Sequence, residues 1–247
     1  MKKLNLLKNL LLYIFMFFMP LYCLSSDKIT FSGGAPHDTF QPRIIIPLLT
    51  EAFKRNDIEF NAVYLPSIRS MESSNAGVVD GELHRVFNFH EVSDGKYPNL
   101  IRIDSELMSI WISAFSTKKV KLNSWQDLKY LNVAYYRGRK NVEKFLSTVI
   151  PENRIFKVSD DKTAFQLLAA QRIDVVISES FEGTRLIKNN YEFSDIYEVG
   201  RLDETKIYSY INKKHQHLAT KVAITLDEMK KDGTFRKIVN KVLKSIK

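Results

Sequence analysis

Two short stretches of this chain pair an acid with a second charge at the same spacing. Asp80 precedes Arg85 by five positions in DGELHR, and Asp174 precedes Glu179 by five in DVVISE. In both, a helical pattern ends before the Asp and an apolar, strand-like run leads to the second charge. Arg85 is suited to clasp a carboxylate through charge-assisted, often bidentate bonds. Glu179 is suited to receive an amine. Ligands of open α/β sheets bind outside the carboxyl ends of the strands. The two side chains are therefore expected to face one cleft and hold opposite ends of one small polar ligand. Arg85→Ala is then expected to weaken binding and leave the empty protein's stability unchanged. Gly138 and Arg139 extend the set: a strand, a Gly-containing turn and a helix bring backbone N–H groups to face an anion. Arg69 and Trp111 complete the ligand-binding candidates. Asp80 and Asp174 stand where helix meets strand, and a turn-stabilising hydrogen bond is their expected role.

Positioning such residues takes two similar α/β halves. In the first, Lys28–Ser32 reads as a strand closed by Gly33-Gly34. A helix follows over Pro42–Arg55, with Ile45, Leu48, Leu49, Ala52 and Phe53 on one face. Ile58–Leu65 alternates as a second strand, a helix carries Arg69 and Met71, Gly77 suits a left-handed helix end, and Val78–Leu83 is a third strand. Met108–Phe115 is long and apolar, as a crossing between lobes would be. In the second half, Leu131–Tyr136 is a strand, Asn141–Val149 a helix and Asn153–Val158 a strand, before the helix–strand unit ending at Ser180. Ser124-Trp125-Gln126-Asp127 has the form of a capping box. Ile207–Ile211 reads as the return strand. Two amphipathic helices, Leu218–Lys231 and the one carrying Phe235, Ile238, Val239 and Val242, close the chain.

At 247 residues the chain has room for one large domain or two lobes. Lys2, Lys3 and Lys8, the apolar run Leu10–Met19, Pro20 and the small residues Ser25 and Ser26 have the form of a secretory signal peptide. An anchor helix is the other reading of that segment. Cleavage near Ser25 or Ser26 removes Cys23, the sole cysteine. Lipidation of Cys23 is the competing outcome, with the bulky Tyr22 against it. The expected organisation is a signal peptide over 1–25, one lobe over 26–110 and 205–247, and a second over 111–204. The formal charge is +9, or +6 without the three signal lysines. The basic residues are spread out and lack aromatic interleaving, so no nucleic-acid partner is expected.

Little catalytic chemistry is visible. His215 and His217 have no acid or cysteine beside them and do not make a metal site. No Gly-rich phosphate motif and no G-x-S-x-G elbow occurs. No cofactor, metal or enzymatic activity is expected.

LPSIRS, AGVVDGELHR, YPNLIR, LNVAYYRGRKNVEKFL, AFQLLAAQRIDVVIS and MKKDGTFRKIVNKVL together resemble the bacterial extracytoplasmic solute-binding proteins of the amino-acid-binding type, family 3. The resemblance covers essentially all of the chain after the signal segment. It implies two Rossmann-like α/β lobes joined by two crossing strands, the type 2 periplasmic-binding-protein fold. It also implies a ligand, amino-acid-like or an organic anion, trapped between the lobes of a monomer, with an ABC importer permease as candidate partner. By the same resemblance Arg85 and the Gly138–Arg139 turn hold a ligand carboxylate, and Glu179 an amine. Two departures stand out. Arg85 follows its Asp more closely than in ordinary amino-acid binders, and Arg139-Lys140 replace small hydroxyl residues after the turn Gly. Gln171 replaces the usual Gly at a helix end. A ligand sensor for a membrane receptor and a dehydratase-like enzyme on the same fold are the alternatives.

Overall fold

A computed structural model describes residues 28–246. The signal-peptide expectation for residues 1–25, with Cys23 and the cleavage near Ser25–Ser26, lies outside the described residues.

The chain folds as the same unit twice. The first unit is β1 (Lys28–Gly33), α1 (Phe40–Lys54), β2 (Glu59–Tyr64), α2 (Ser67–Ala76) and β3 (Gly81–Val86). Its strands are parallel in the order β2-β1-β3. After α3 (Phe89–Val92), β4 (Leu100–Arg102) and β5 (Met108–Ser116), the second unit repeats the order. It comprises β6 (Val133–Tyr136), α4 (Lys140–Val149), β7 (Ile155–Val158), α5 (Asp161–Ala169) and β8 (Val175–Glu179). Its strands are parallel in the order β7-β6-β8. After α6 (Ser180–Asn189), β9 (Tyr197–Asn212) runs back to the first unit, where α7 (Gln216–Lys231) and α8 (Thr234–Ile246) end the described chain. Strands β5 and β9 pair antiparallel at the centre of one sheet, β9 reaching β3 and β5 reaching β8. Their register shifts between Ile112 and Ser113 and again between Ala114 and Phe115.

The two acids that open the paired motifs do equivalent work. Asp80 Oδ2 accepts the Thr30 N–H at 2.8 Å, and Asp174 Oδ2 accepts the Asn132 N–H at 2.9 Å. Each thereby ties the start of its own strand to the neighbouring one, β1 or β6. Helix α1 shows why the sequence folds this way. Ile44, Ile45, Leu48, Leu49, Ala52 and Phe53 are all buried on its inner face. Each larger side chain gains about 1.5–3 kcal/mol on leaving water. The closing helices pack against α1 and against each other.

Two strands differ most from the sequence reading. Strand β3 begins at Gly81 rather than Val78, because Gly77 turns the chain at φ 77° and leaves Val78 78% exposed. Strand β9 spans Tyr197–Asn212, far longer than Ile207–Ile211. The charged run Arg201–Glu204 hides its first half, which is held by ladder bonds to β5 more than by apolar burial.

Gln171 ends the helical run before Asp174 at φ 54°, in the left-handed region that a side chain disfavours. Gln171→Gly is expected to raise stability by about 0.5–1 kcal/mol, read as a higher urea midpoint at unchanged m-value.

Candidate functional site

The carboxyl ends of β3 and β8 open onto one cavity of ≈ 180 Å³, lined from both units. Pockets for drug-sized ligands are typically about 300–1,000 Å³, so this one suits a small metabolite. Arg85, Gly138, Arg139 and Glu179 all line it. Arg69 and Trp111 do not. Arg69 is exposed on α2. Trp111 is 38% exposed and lies under Arg201, 5.7 Å from its ring centre. Strand alternation explains this: Ile110 and Ile112 face the cavity, so Trp111 faces away.

The charges are already engaged. Arg85 Nε donates to Glu82 Oε2 at 2.6 Å, and its two terminal nitrogens donate to Ser67 Oγ at 3.2 Å and the Ser67 carbonyl at 3.4 Å. Glu82 is completely buried, and its other oxygen accepts from Ser70, Ser74 and Ser32. Arg139 grips Asp161 with both terminal nitrogens at 2.6 and 2.7 Å, and Glu179 stands 3.6 Å from the same guanidinium. Burial works against the Arg139 charge, but Asp161 and then Glu179 more than reverse this and hold its pKa above the ordinary value. Burial pushes the Glu179 carboxyl up; Arg139 and the Gln41 amide pull against it, while Asp161 and Glu182 add to it. Two carboxylates thus share one guanidinium.

The repeat governs these partnerships. Ser67, the first residue of α2, bonds Arg85; Asp161, the first residue of the equivalent α5, bonds Arg139. The second residues of the other equivalent pair, Gln41 in α1 and Asn141 in α4, line the cavity too. Gln41 is 7% exposed and Asn141 6%, yet Gln41 Oε1 and Asn141 Nδ2 have no protein partner. His84 Nε2, also at the cavity, is a third buried atom without one. A buried polar atom left unbonded costs about 1–3 kcal/mol, so three around one cavity point to a polar ligand.

Contacts also cross the cavity. Tyr136 Oη donates to the Gly34 carbonyl at 2.9 Å, and the rings of Phe40 and Phe181 stack at 3.7 Å. Gly138 sits at φ 104°, and a Cβ built on it would lie 2.5 Å from Ser67 Oγ.

No protein-family model matches the chain. A protein of Shewanella oneidensis described as uncharacterized is 30% identical over 195 residues, spanning 77% of this chain and 72% of that one. This chain belongs to that protein's family. Among solved structures, a histidine kinase sensor domain with similarity to periplasmic binding proteins matches at TM-score 0.71 and 15% identity, over 88% of this chain and 96% of that one. An amino acid ABC transporter substrate-binding protein from Streptococcus pneumoniae bound to L-arginine matches at TM-score 0.69 and 14% identity, over 88% and 94%. An ancestral arginine-binding protein bound to arginine matches at TM-score 0.68 and 19% identity, over 87% and 97%. The fold is that of the type 2 periplasmic binding proteins.

Within this fold, Gln41, Asn141, His84 and Asp161 are among the cavity residues that sequence reasoning misses. The usable signal was positional: Gln41 and Asn141 each follow a strand and a Gly-containing loop by the same number of helical residues. Among the described residues, no group of three or more His, Cys, Asp or Glu could hold a metal.

His84 gives the chain a pH dependence. Burial, followed by the Arg85 charge, pushes its imidazole down to about 3 from 6.5. Below pH 6.5 the unfolded chain takes up a proton that the folded protein refuses until about pH 3. The stability contributed by neutral His84 is therefore complete above pH 6.5 and lost as pH falls. The slope approaches about 1.4 kcal/mol per pH unit. Urea unfolding between pH 6.5 and 5 should show a shallower loss for His84→Gln than for wild type. Equal slopes would mean that His84 protonates normally in the folded state.

Proposed function

We propose that this protein is an extracytoplasmic solute-binding protein that captures a small polar or charged ligand between two lobes. One lobe comprises residues 26–110 and 205–247, and the other residues 111–204. The observation that carries this reading is the cavity between equivalent strand ends, with the buried, unpartnered polar atoms of Gln41, His84 and Asn141 around it. The signal-like N-terminus adds a periplasmic location, and the structural neighbours that serve amino acid ABC transporters add an importer permease as partner. The neighbouring substrate-binding proteins also favour capture of the ligand without turnover.

A second reading is sensing for a membrane receptor. The match to a histidine kinase sensor domain, as extensive as those to the transport proteins, favours it. A genomic neighbour encoding a permease or a receptor separates the two.

A thermal-shift screen of small polar metabolites tests the binding reading itself. A ligand at 100 times its Kd should add about 2.7 kcal/mol to stability. Glu179→Gln should then weaken amine-bearing ligands at least about tenfold, the loss of one hydrogen bond between charged groups. It should spare purely anionic ones. For wild type, affinity for an amine should fall as pH drops through the raised pKa of Glu179, because only the carboxylate attracts a cation. A screen in which nothing binds, or a ligand indifferent to Glu179→Gln and to lobe closure, would refute the cleft.

A further inference from the structure

We propose that Glu82 is a built-in counter-anion for Arg85, and that the cavity consequently selects ligands bearing an amine or guanidinium group and no free carboxylate. This rests on the binding reading above.

The argument starts at Arg85. Its side chain is 10% exposed, and all three of its nitrogens are bonded to Glu82 or Ser67. The Glu82 carboxylate is 0% exposed and held from behind by three serine hydroxyls, so it cannot swing away to make room for a ligand carboxylate. Three of five guanidinium N–H groups are used, and the charge they carry is cancelled 2.6 Å away. A ligand carboxylate brought to Arg85 would meet a neutral pair and a second carboxylate behind it.

The other charges at the cavity lean the same way. Lys140 is paired at 2.7 Å with Glu143, which also holds Lys157 at 2.9 Å, and Arg139 is paired with Asp161. Glu182 is paired with Arg185. Glu179 is left sharing the guanidinium that Asp161 already holds. Asp160 lines the cavity as well, so with these partners included six carboxylates face five cations, in a chain whose formal net charge is +9. Gln41, 7% exposed, lines the same space, and its Oε1 is an acceptor without a protein partner. An acceptor beside a surplus carboxylate suits N–H donors on a cation. Asn141 Nδ2, a donor at the start of α4, is left for a hydroxyl, carbonyl or ether oxygen elsewhere on the ligand.

Matched pairs that differ only by the carboxylate test this: agmatine against L-arginine, cadaverine against L-lysine, and histamine against L-histidine, titrated calorimetrically into the mature protein. At least one amine should bind at least tenfold tighter than its parent amino acid. Glu82→Gln should narrow that ratio at least tenfold by freeing the Arg85 charge. Parent amino acids that bind as tightly as their amines would overturn the proposal, and would assign the carboxylate to Asn141 and the α4 N-terminus. So would a folded Glu82→Gln protein with an unchanged ratio. If Glu82→Gln does not fold, the wild-type ratios decide alone. If no member of any pair binds while another metabolite from the wider screen does, the amine class is wrong and the binding reading stands. If the wider screen also fails, the binding reading itself is wrong.

Discussion

Gly138→Ala should leave a folded protein that has lost at least tenfold in ligand affinity. Two separate effects meet at this residue. Its φ of 104° is a conformation that a side chain resists, at about 1–3 kcal/mol. That strain acts whether or not a ligand is present, and should appear as a lowered Tm. The second effect depends on the cavity being closed. The new Cβ would lie 2.5 Å from Ser67 Oγ and 2.8 Å from Ser67 Cβ. Real Cβ atoms do not approach so closely, so α2 and the turn before α4 must separate. Ser67 belongs to the first unit and Gly138 to the second, so separating them parts the cavity walls. Each 1.4 kcal/mol of that penalty is a factor of ten in Kd. Adding Ser67→Gly to Gly138→Ala should restore part of the affinity without restoring Tm, because it removes the clash and leaves the backbone strain. Calorimetric titration with the ligand from the metabolite screen, beside thermal unfolding of the empty protein, reads the two effects apart. Unchanged affinity in the single variant would mean that ligand is held without this approach of Gly138 to Ser67.

Arg85→Ala should destabilise the empty protein by about 3–5 kcal/mol, the loss found when one partner of a buried ion pair is removed. The sequence alone suggests the opposite: a strand-end arginine facing a cleft should affect binding and little else. Glu82 changes the expectation. It is fully buried, its charge meets Arg85 at 2.6 Å, and without Arg85 only serine hydroxyls would face it. Arg85→Ala combined with Glu82→Gln should recover much of the lost stability, since the double variant buries no unpaired charge. Urea unfolding of the wild type, both single variants and the double variant gives the coupling directly. A single variant as stable as wild type would show that Glu82 tolerates isolation and that the pair is not what holds the end of β3.

The fold was legible because it is written twice. The run from helix to Asp to apolar strand recurs in both units, and Asp80 and Asp174 proved to make the same backbone bond. The capping box at Ser124 was also legible, since both halves of its bonding pattern lie within four residues. The site was legible only in part. Arg85, Gly138, Arg139 and Glu179 sit at strand ends or turns, where position alone puts them at the cavity. Trp111 was a candidate too, but one step of strand alternation turns it outward. The matched positions of Gln41 and Asn141 were there to be read, but the contacts of Glu82 and Asp161 were not. Asp161 meets Arg139 across the fold, and Glu82 meets Arg85 three positions on, a spacing that puts side chains on opposite faces of a regular strand and is bridged here by the register shift between them. Glu82 is the clearest case. In the sequence it is an acid in a strand; in the fold it decides what Arg85 is available to do.

The two register shifts between β5 and β9 have a mechanical consequence. The chain passes from one wall of the cavity to the other only along these two strands, and each shift leaves a residue outside the regular ladder. An extra residue of this kind increases local twist and interrupts the ladder. Torsional compliance is therefore concentrated near Leu202 and Val199, opposite Ile112–Phe115, while the parallel strands on either side stay stiff. The cavity walls can part by winding this ribbon through a small angle, like a pair of torsion bars, without melting a helix or breaking a parallel pairing. Amide exchange in β5 and β9 should then be fastest at the interruptions and slow on both sides of them. A ligand that locks the walls together should quench that exchange first.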